Sequence, residues 1–240
     1  MTEGTPDRGR DAALVELVVA DPPEAWAAAG FAVAGGAVRL GSTSLRLVGR
    51  AADDAGGIRS WSLAGVDGAG LVDGRLDGLA TDVVPHPGTD HPSEHVAHPN
   101  GVTGLDHVVV LTPDLDRTIA ALGRVGLACR RIRETESYGS PMRQAFFRLG
   151  PTVLEVVSGD TGTGLPAHDA PARWFGLAVD VDDLERTGEQ LGDGFGTIKD
   201  AVQAGRRIAT FRHRALGLSV AVAAMDDRAG ERAGVEPGDR

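Results

Sequence analysis

Four of the seven histidines in this 240-residue chain, His86, His91, His95 and His98, fall within one short stretch. His95-x-x-His98 beside Glu94 offers the residue types that catch a divalent metal. The surrounding segment, 85–104 (PHPGTDHPSEHVAHPNGVTG), is rich in proline and glycine and has no periodicity. No rigid element would fix ligand geometry there, so a solvated linker is the plainer reading. His213 lies on a candidate strand, where a place in the core or on a cleft wall competes with a role as base. Cys129 is the only cysteine. No neighbouring motif activates it, and it excludes an intramolecular disulfide, which fits a reducing cytosol. The chain contains neither a phosphate-cradling P-loop nor a Gly-x-Ser-x-Gly elbow, and Asp193-Gly-Phe-Gly lacks the strand-to-helix context of a dinucleotide fingerprint.

Those side chains must be positioned by backbone elements, and the chain repeats them. Ala37–Val48 (AVRLGSTSLRLV) and Phe146–Val157 (FFRLGPTVLEVV) are identical at six of twelve positions: Arg39/Arg148, Leu40/Leu149, Gly41/Gly150, Thr43/Thr152, Leu45/Leu154 and Val48/Val157. Each reads as strand, glycine turn, strand. Upstream, Leu14–Ala20 and Leu105–Leu111 are β-branched strands that run into helix-start signals at Asp21-Pro22-Pro23-Glu24 and Thr112-Pro113-Asp114. Leu115, Ile119 and Leu122 then recur at helical spacing, closed by Gly123 and Gly126. A further copy begins at Trp174 (WFGLAVDVDDLERTGEQL) and continues through candidate strands at 196–202, 207–213 and 218–223. Ser60–Asp67 resembles Arg173–Asp180 and marks an incomplete copy. The unit is β-α-β-β-β, and the fold class is α+β with repeated modules.

Composition narrows the function. Lys+Arg number 24 against 34 Asp+Glu, a formal net charge of −10, with 42% hydrophobic residues. A net acid with no basic stripe is not expected to bind nucleic acid. No run of about 18 apolar residues is present, and Met1 to Asp11 is polar, so the expectation is a cytoplasmic protein without a membrane partner. Expected boundaries are a disordered 1–11, an abbreviated module region at 12–85, a linker at 86–103, a complete two-module domain at 104–225 and a disordered tail from 226.

The passage Leu105–Thr118 (LDHVVVLTPDLDRT), followed by Gly150–Val157 (GPTVLEVV), resembles the vicinal oxygen chelate superfamily of glyoxalases, epimerases, extradiol dioxygenases and bleomycin-resistance proteins. The resemblance implies paired modules whose mixed sheets form a cup around a small molecule. It also implies a divalent metal, zinc, nickel, manganese or iron, held from the first and last strands of each paired module. Here those positions supply His107 and Glu155, whereas the partner module offers Gly176 and either Ala221 or Val222. Glu16, at the His107 position of the first module, is a third candidate ligand, and Arg46 stands where Glu155 does. The alternative is a neutral strand histidine at 107 and a Glu155 paired with Arg143 or Arg148.

Phe147, Trp174, Phe211 and His213 are the candidate ligand-binding residues of the cup, with core packing as the alternative for the aromatics; strand alternation turns only one of Phe146 and Phe147 inward. The reading is a glyoxalase-like protein with an incomplete metal site that binds an organic ligand, against a metal-dependent lyase or isomerase using His107 and Glu155. A homodimer is compatible with both.

Overall fold

The computed structural model describes residues 12–86, 96–137, 140–159, 167 and 169–227. His91, Glu94, His95, the turn at Tyr138, residues 1–11 and the tail from 228 lie outside the described residues. The first module consists of β1 (Ala13–Val19), α1 (Pro23–Ala28), β2 (Val33–Ala34), β3 (Ala37–Leu40) and β4 (Thr43–Leu47). The second, from β5 (Ile58–Ala64) through β6 (Arg75–Leu76) to β7 (Leu79–Val83), has one 3-10 turn in place of the helix. The third comprises β8 (Val102–Leu111), α2 (Leu115–Arg124), β9 (Cys129–Ser137), β10 (Ser140–Leu149) and β11 (Thr152–Ser158). The fourth comprises β12 (Arg173–Val181), α3 (Leu184–Leu191), β13 (Lys199–Asp200), β14 (Arg206–Thr210) and β15 (Ala221–Asp227).

Consecutive modules pair. The first two form a seven-stranded sheet ordered β2-β3-β4-β1-β5-β7-β6, and the last two an eight-stranded sheet ordered β13-β14-β15-β12-β8-β11-β10-β9. In each sheet the two opening strands run antiparallel at the centre, β1 with β5 and β8 with β12. Each opening strand also lies parallel to the last strand of its own module.

The repeated residues explain the repeated shape. Gly41 and Gly150 both take left-handed φ, 62° and 67°, which a side chain would disfavour. Thr43 and Thr152, both 1% exposed, donate hydroxyl bonds to the carbonyls of Leu14 and Leu105 and tie the last strand to the first. Asp114 and Asp183 cap α2 and α3 by accepting from the backbone N–H of Arg117 and Arg186. The corresponding signal at α1 works differently. Pro22 is its N-cap without a side-chain bond, while Asp21 is fully buried and accepts from Trp26 Nε1 at 3.2 Å and from the Ser219 N–H at 3.0 Å.

Along β8, Val108 and Val110 are fully buried whereas His107 and Val109 are half-buried, the alternation of a sheet with one covered face. Helix α2 buries Leu115, Thr118, Ala121 and Leu122 and packs on β10 and β11. Burying leucines such as 115 and 122 contributes about 1.5–3 kcal/mol each. The two sheets share one core. Trp61 meets Trp174 edge-on at 5.1 Å, and Phe31 stacks on Phe211 at 6.0 Å. The end of the linker is part of this junction. His98 accepts from the Ala32 N–H and donates to the Arg39 carbonyl, and Asn100 bonds the Ala29 carbonyl.

The last strand begins three residues later than its expected start at Leu218 and runs to Asp227. Asp226, placed by sequence in a frayed tail, is 3% exposed and accepts from Arg207 and from the Leu184 N–H.

Candidate functional site

The concave face of the eight-stranded sheet carries a cavity of about 690 Å³. One wall is polar: Asp106 and His107 from β8, Glu155 from β11, Gln144 and Phe146 from β10, Arg131 and Arg133 from β9. Ala201, Val202, Gln203, Ile208 and Met225 supply the facing wall, which is apolar apart from Gln203.

Adjacent residues on a regular strand point to opposite faces, yet Asp106 and His107 both line this cavity. A bulge is responsible. His107 pairs with Ala178 while Leu105 pairs with Val179, so β8 spends one more residue than β12 and Asp106 is the extra one. The two side chains are thereby brought together, with His107 Nδ1 donating to Asp106 Oδ1 at 2.5 Å. Because an ionised carboxylate only accepts, Nδ1 carries a proton, and Nε2 lies 3.7 Å from Glu155 Oε2. Gln144 Nε2 donates to the other oxygen of Glu155 at 2.5 Å, leaving Gln144 Oε1 buried without a partner among the described residues.

Arg206, on β14, anchors this group from behind. It bonds Asp106 and, at 2.5 Å, Asp180, and its Nε lies 3.3 Å from Asp227 in a charge contact that is not a hydrogen bond. Burial opposes ionisation of Asp106, but hydrogen bonds from His107 and Arg206 outweigh it and hold the carboxyl at about 2. Burial and repulsion from Asp106 push Asp180 the other way, above the usual carboxylate range.

The donor positions of the fold can now be compared in register. His107 pairs with Val153 as Gly176 pairs with Ala221, and Glu155 pairs with Val109 as Ala223 pairs with Ala178. The position equivalent to Glu155 is therefore Ala223, not Ala221 or Val222; the late start of β15 accounts for the difference. Neither Gly176 nor Ala223 has a donor atom. Gly176 also cannot accept a side chain in this arrangement, because a Cβ there would lie 2.3 Å from the Ala221 carbonyl oxygen. Among the described residues no three His, Cys, Asp or Glu side chains converge as a ligand set. The residues present do not fit the three-ligand metal site that the fold family implies.

Glu16 does not join His107 and Glu155. It occupies the matching place in the other sheet, where β1 and β4 hold it beside Arg46, Nε to Oε1 at 3.0 Å. Glu155 pairs with neither Arg143 nor Arg148; Arg143 bonds Asp116. Of the candidate ligand-binding residues, Phe147 is 1% exposed in the core, and Phe146 faces the cavity in its place. Trp174 packs on Trp61, and Phe211 between Phe31 and Phe195. His213 lies after β14 and outside the cavity lining, with its pKa lowered by burial and by Arg214. Asp106, Arg131, Arg133, Gln144, Met225 and Arg206 were not marked by any motif. The only local signal was Asp106-His107 as adjacent polar residues in an apolar strand.

No protein-family model and no curated protein matches the sequence. Solved structures do. A variant of 4-hydroxymandelate synthase from Streptomyces coelicolor is similar over 90% of this chain and 92% of its own, with 14% identity and a TM-score of 0.59. A fusion of a xylose isomerase-like TIM barrel with 4-hydroxyphenylpyruvate dioxygenase is similar over 93% of this chain and 50% of its own, with 14% identity and a TM-score of 0.60. Methylmalonyl-CoA epimerase from Mycobacterium tuberculosis covers 58% of this chain at 20% identity and a TM-score of 0.45. The likeness to the first two is one of fold, and the chain has the fold of the vicinal oxygen chelate superfamily.

Proposed function

We propose that this chain, built on the vicinal oxygen chelate fold, binds a small organic molecule in the cup of its eight-stranded sheet without metal chemistry. The observation that carries the reading is the donor set. Of the four equivalent positions, 107 and 155 carry a histidine and a glutamate, while 176 and 223 carry a glycine and an alanine. His107 and Glu155 are already engaged, the first by Asp106 and the second by Gln144. The cavity nonetheless persists at about 690 Å³, within the range of small-molecule sites. A protein that had filled its cup with core side chains would have none.

The test is the metal content of the wild type and of His107→Ala after exposure to zinc, nickel, manganese and ferrous iron. Metal-free protein in both, together with a rise in melting temperature from some member of a screen of thioesters, aromatic diols and antibiotics, supports a binding module. Stoichiometric metal in the wild type that is lost in His107→Ala would replace this reading with a metal-dependent lyase or isomerase centred on His107 and Glu155.

A further inference from the structure

The charges in the cavity are unevenly compensated. Asp106 is paired with Arg206 and hydrogen-bonded by His107, and Glu155 is bonded by Gln144 and faces His107. Arg131 and Arg133, in contrast, make no ion pair or side-chain hydrogen bond among the described residues, although both line the cavity. They occupy alternate positions of β9, the edge strand, so both guanidinium groups project to the same face. Their cross-strand partners are Phe146 and Gln144, which also line the cavity. Behind Phe146, in turn, stands Glu155 in direct register. The facing wall of Val202, Ile208 and Met225 has no charge to offer them.

From this layout we infer that the ligand is an amphipathic organic anion. Its carboxylate or phosphate head is held by Arg131 and Arg133, and its apolar body lies between Phe146 and the wall of Val202, Ile208 and Met225. The inference rests on the small-molecule reading above and names the class of molecule. Guanidinium forks match the planar, two-oxygen geometry of a carboxylate and bind it through paired, charge-assisted bonds. The whole chain carries −10, so its long-range field repels an anion and the affinity must come from this local pair. A neutral apolar molecule would offer neither the half-buried Arg133 nor the more exposed Arg131 a counter-charge, so an anion is favoured over its neutral isostere.

The test uses the full chain and matched pairs of probes: 3-phenylpropionate against 3-phenylpropanol, octanoate against octanol, with phenyl phosphate as the phosphate arm. The expected result is saturable stabilisation by the acids, by phenyl phosphate or by both, with little from the alcohols, and weakening at high salt. The double variant Arg131→Gln/Arg133→Gln should weaken binding by about tenfold or more, the equivalent of about 1.4 kcal/mol for loss of charged hydrogen bonds. Arg130→Gln, exposed on the same strand but outside the cavity lining, should leave it unchanged. Equal binding of alcohols and acids, or full retention by the double variant, would overturn the anionic class while leaving a small-molecule site in place. If none of the anions binds at about 10 mM but a neutral compound from the wider screen does, the anionic class fails alone; if nothing in either set stabilises the chain, both readings fail.

Discussion

Replacing Gly176 by alanine tests whether the third donor position is closed by the backbone or merely lacks a side chain. The added Cβ would stand 2.3 Å from the Ala221 carbonyl oxygen and 2.9 Å from the Ala221 Cβ. Gly176 and Ala221 are register partners in the parallel pair β12 and β15, so relief requires the two strands to part. Overpacking costs about 1–3 kcal/mol, and a clash with hydrogen-bonded backbone belongs at the upper end. Reduced freedom of the unfolded chain returns about 0.4–1 kcal/mol. The net expectation is a loss of about 2 kcal/mol, which for a chain of this length lowers the melting temperature by roughly 4–8 °C. Gly104→Ala is the control, since a Cβ there meets nothing within 4 Å. Urea titrations of both variants should show a lower midpoint with an unchanged slope for Gly176→Ala, and no loss for Gly104→Ala. Equal stability of the two would refute the close approach. Position 176 would then be open to a histidine, and the argument against a three-ligand metal site would lose its geometric half.

Three further outcomes are expected. Trp61→Ala, which empties a fully buried site against Trp174 and strips Thr81 of a hydrogen bond, should cost about 3–5 kcal/mol in urea denaturation; a cost below about 1 kcal/mol would mean the two sheets do not share this core. His98→Ala should cost about 1–3 kcal/mol, because the Ala32 N–H and the Arg39 carbonyl both lose their partner; an unchanged midpoint would show that the linker end is not docked. Arg206→Leu should destabilise the chain most at neutral pH, where Asp106 and Asp180 are left facing one another. Asp106, held at about 2 against an ordinary 3.8, contributes stability above about pH 4 that is lost as pH falls through 2, about 2 kcal/mol at 1.36 kcal/mol per pH unit. The raised Asp180 works in the opposite sense and offsets part of this. The gap between wild type and Arg206→Leu in urea midpoint should therefore narrow as pH is lowered toward 2; a constant gap would contradict the assignment.

The local parts of this protein were legible because their causes are local. A glycine in a left-handed turn, a threonine that ties one strand to another and an aspartate at a helix start each leave the same residue at the same spacing. The copies at Gly41 and Gly150, Thr43 and Thr152, and Asp114 and Asp183 therefore reveal the β-α-β-β-β unit and with it the fold class. His107 and Glu155, the two donors in the eight-stranded cup, were picked out by the family resemblance, which assigns ligands to the first and last strands of a unit.

What those strands face was decided elsewhere in the chain. A strand has a period of two, so a single unpaired residue turns a side chain to the other face, and only the partner strand determines where that residue falls. The bulge opposite β12 brings Asp106 beside His107, and a bulge between Phe146 and Phe147 in the pairing with β9 lies where the former faces the cavity and the latter the core. Pairing of consecutive modules separates Glu16 from His107 and gives it to Arg46. Arg206 reaches Asp106 from a strand one hundred residues away, a distance that no local pattern spans. Spacing along the chain determined which residues could act together within one module; the register between strands from different modules decided which of them meet.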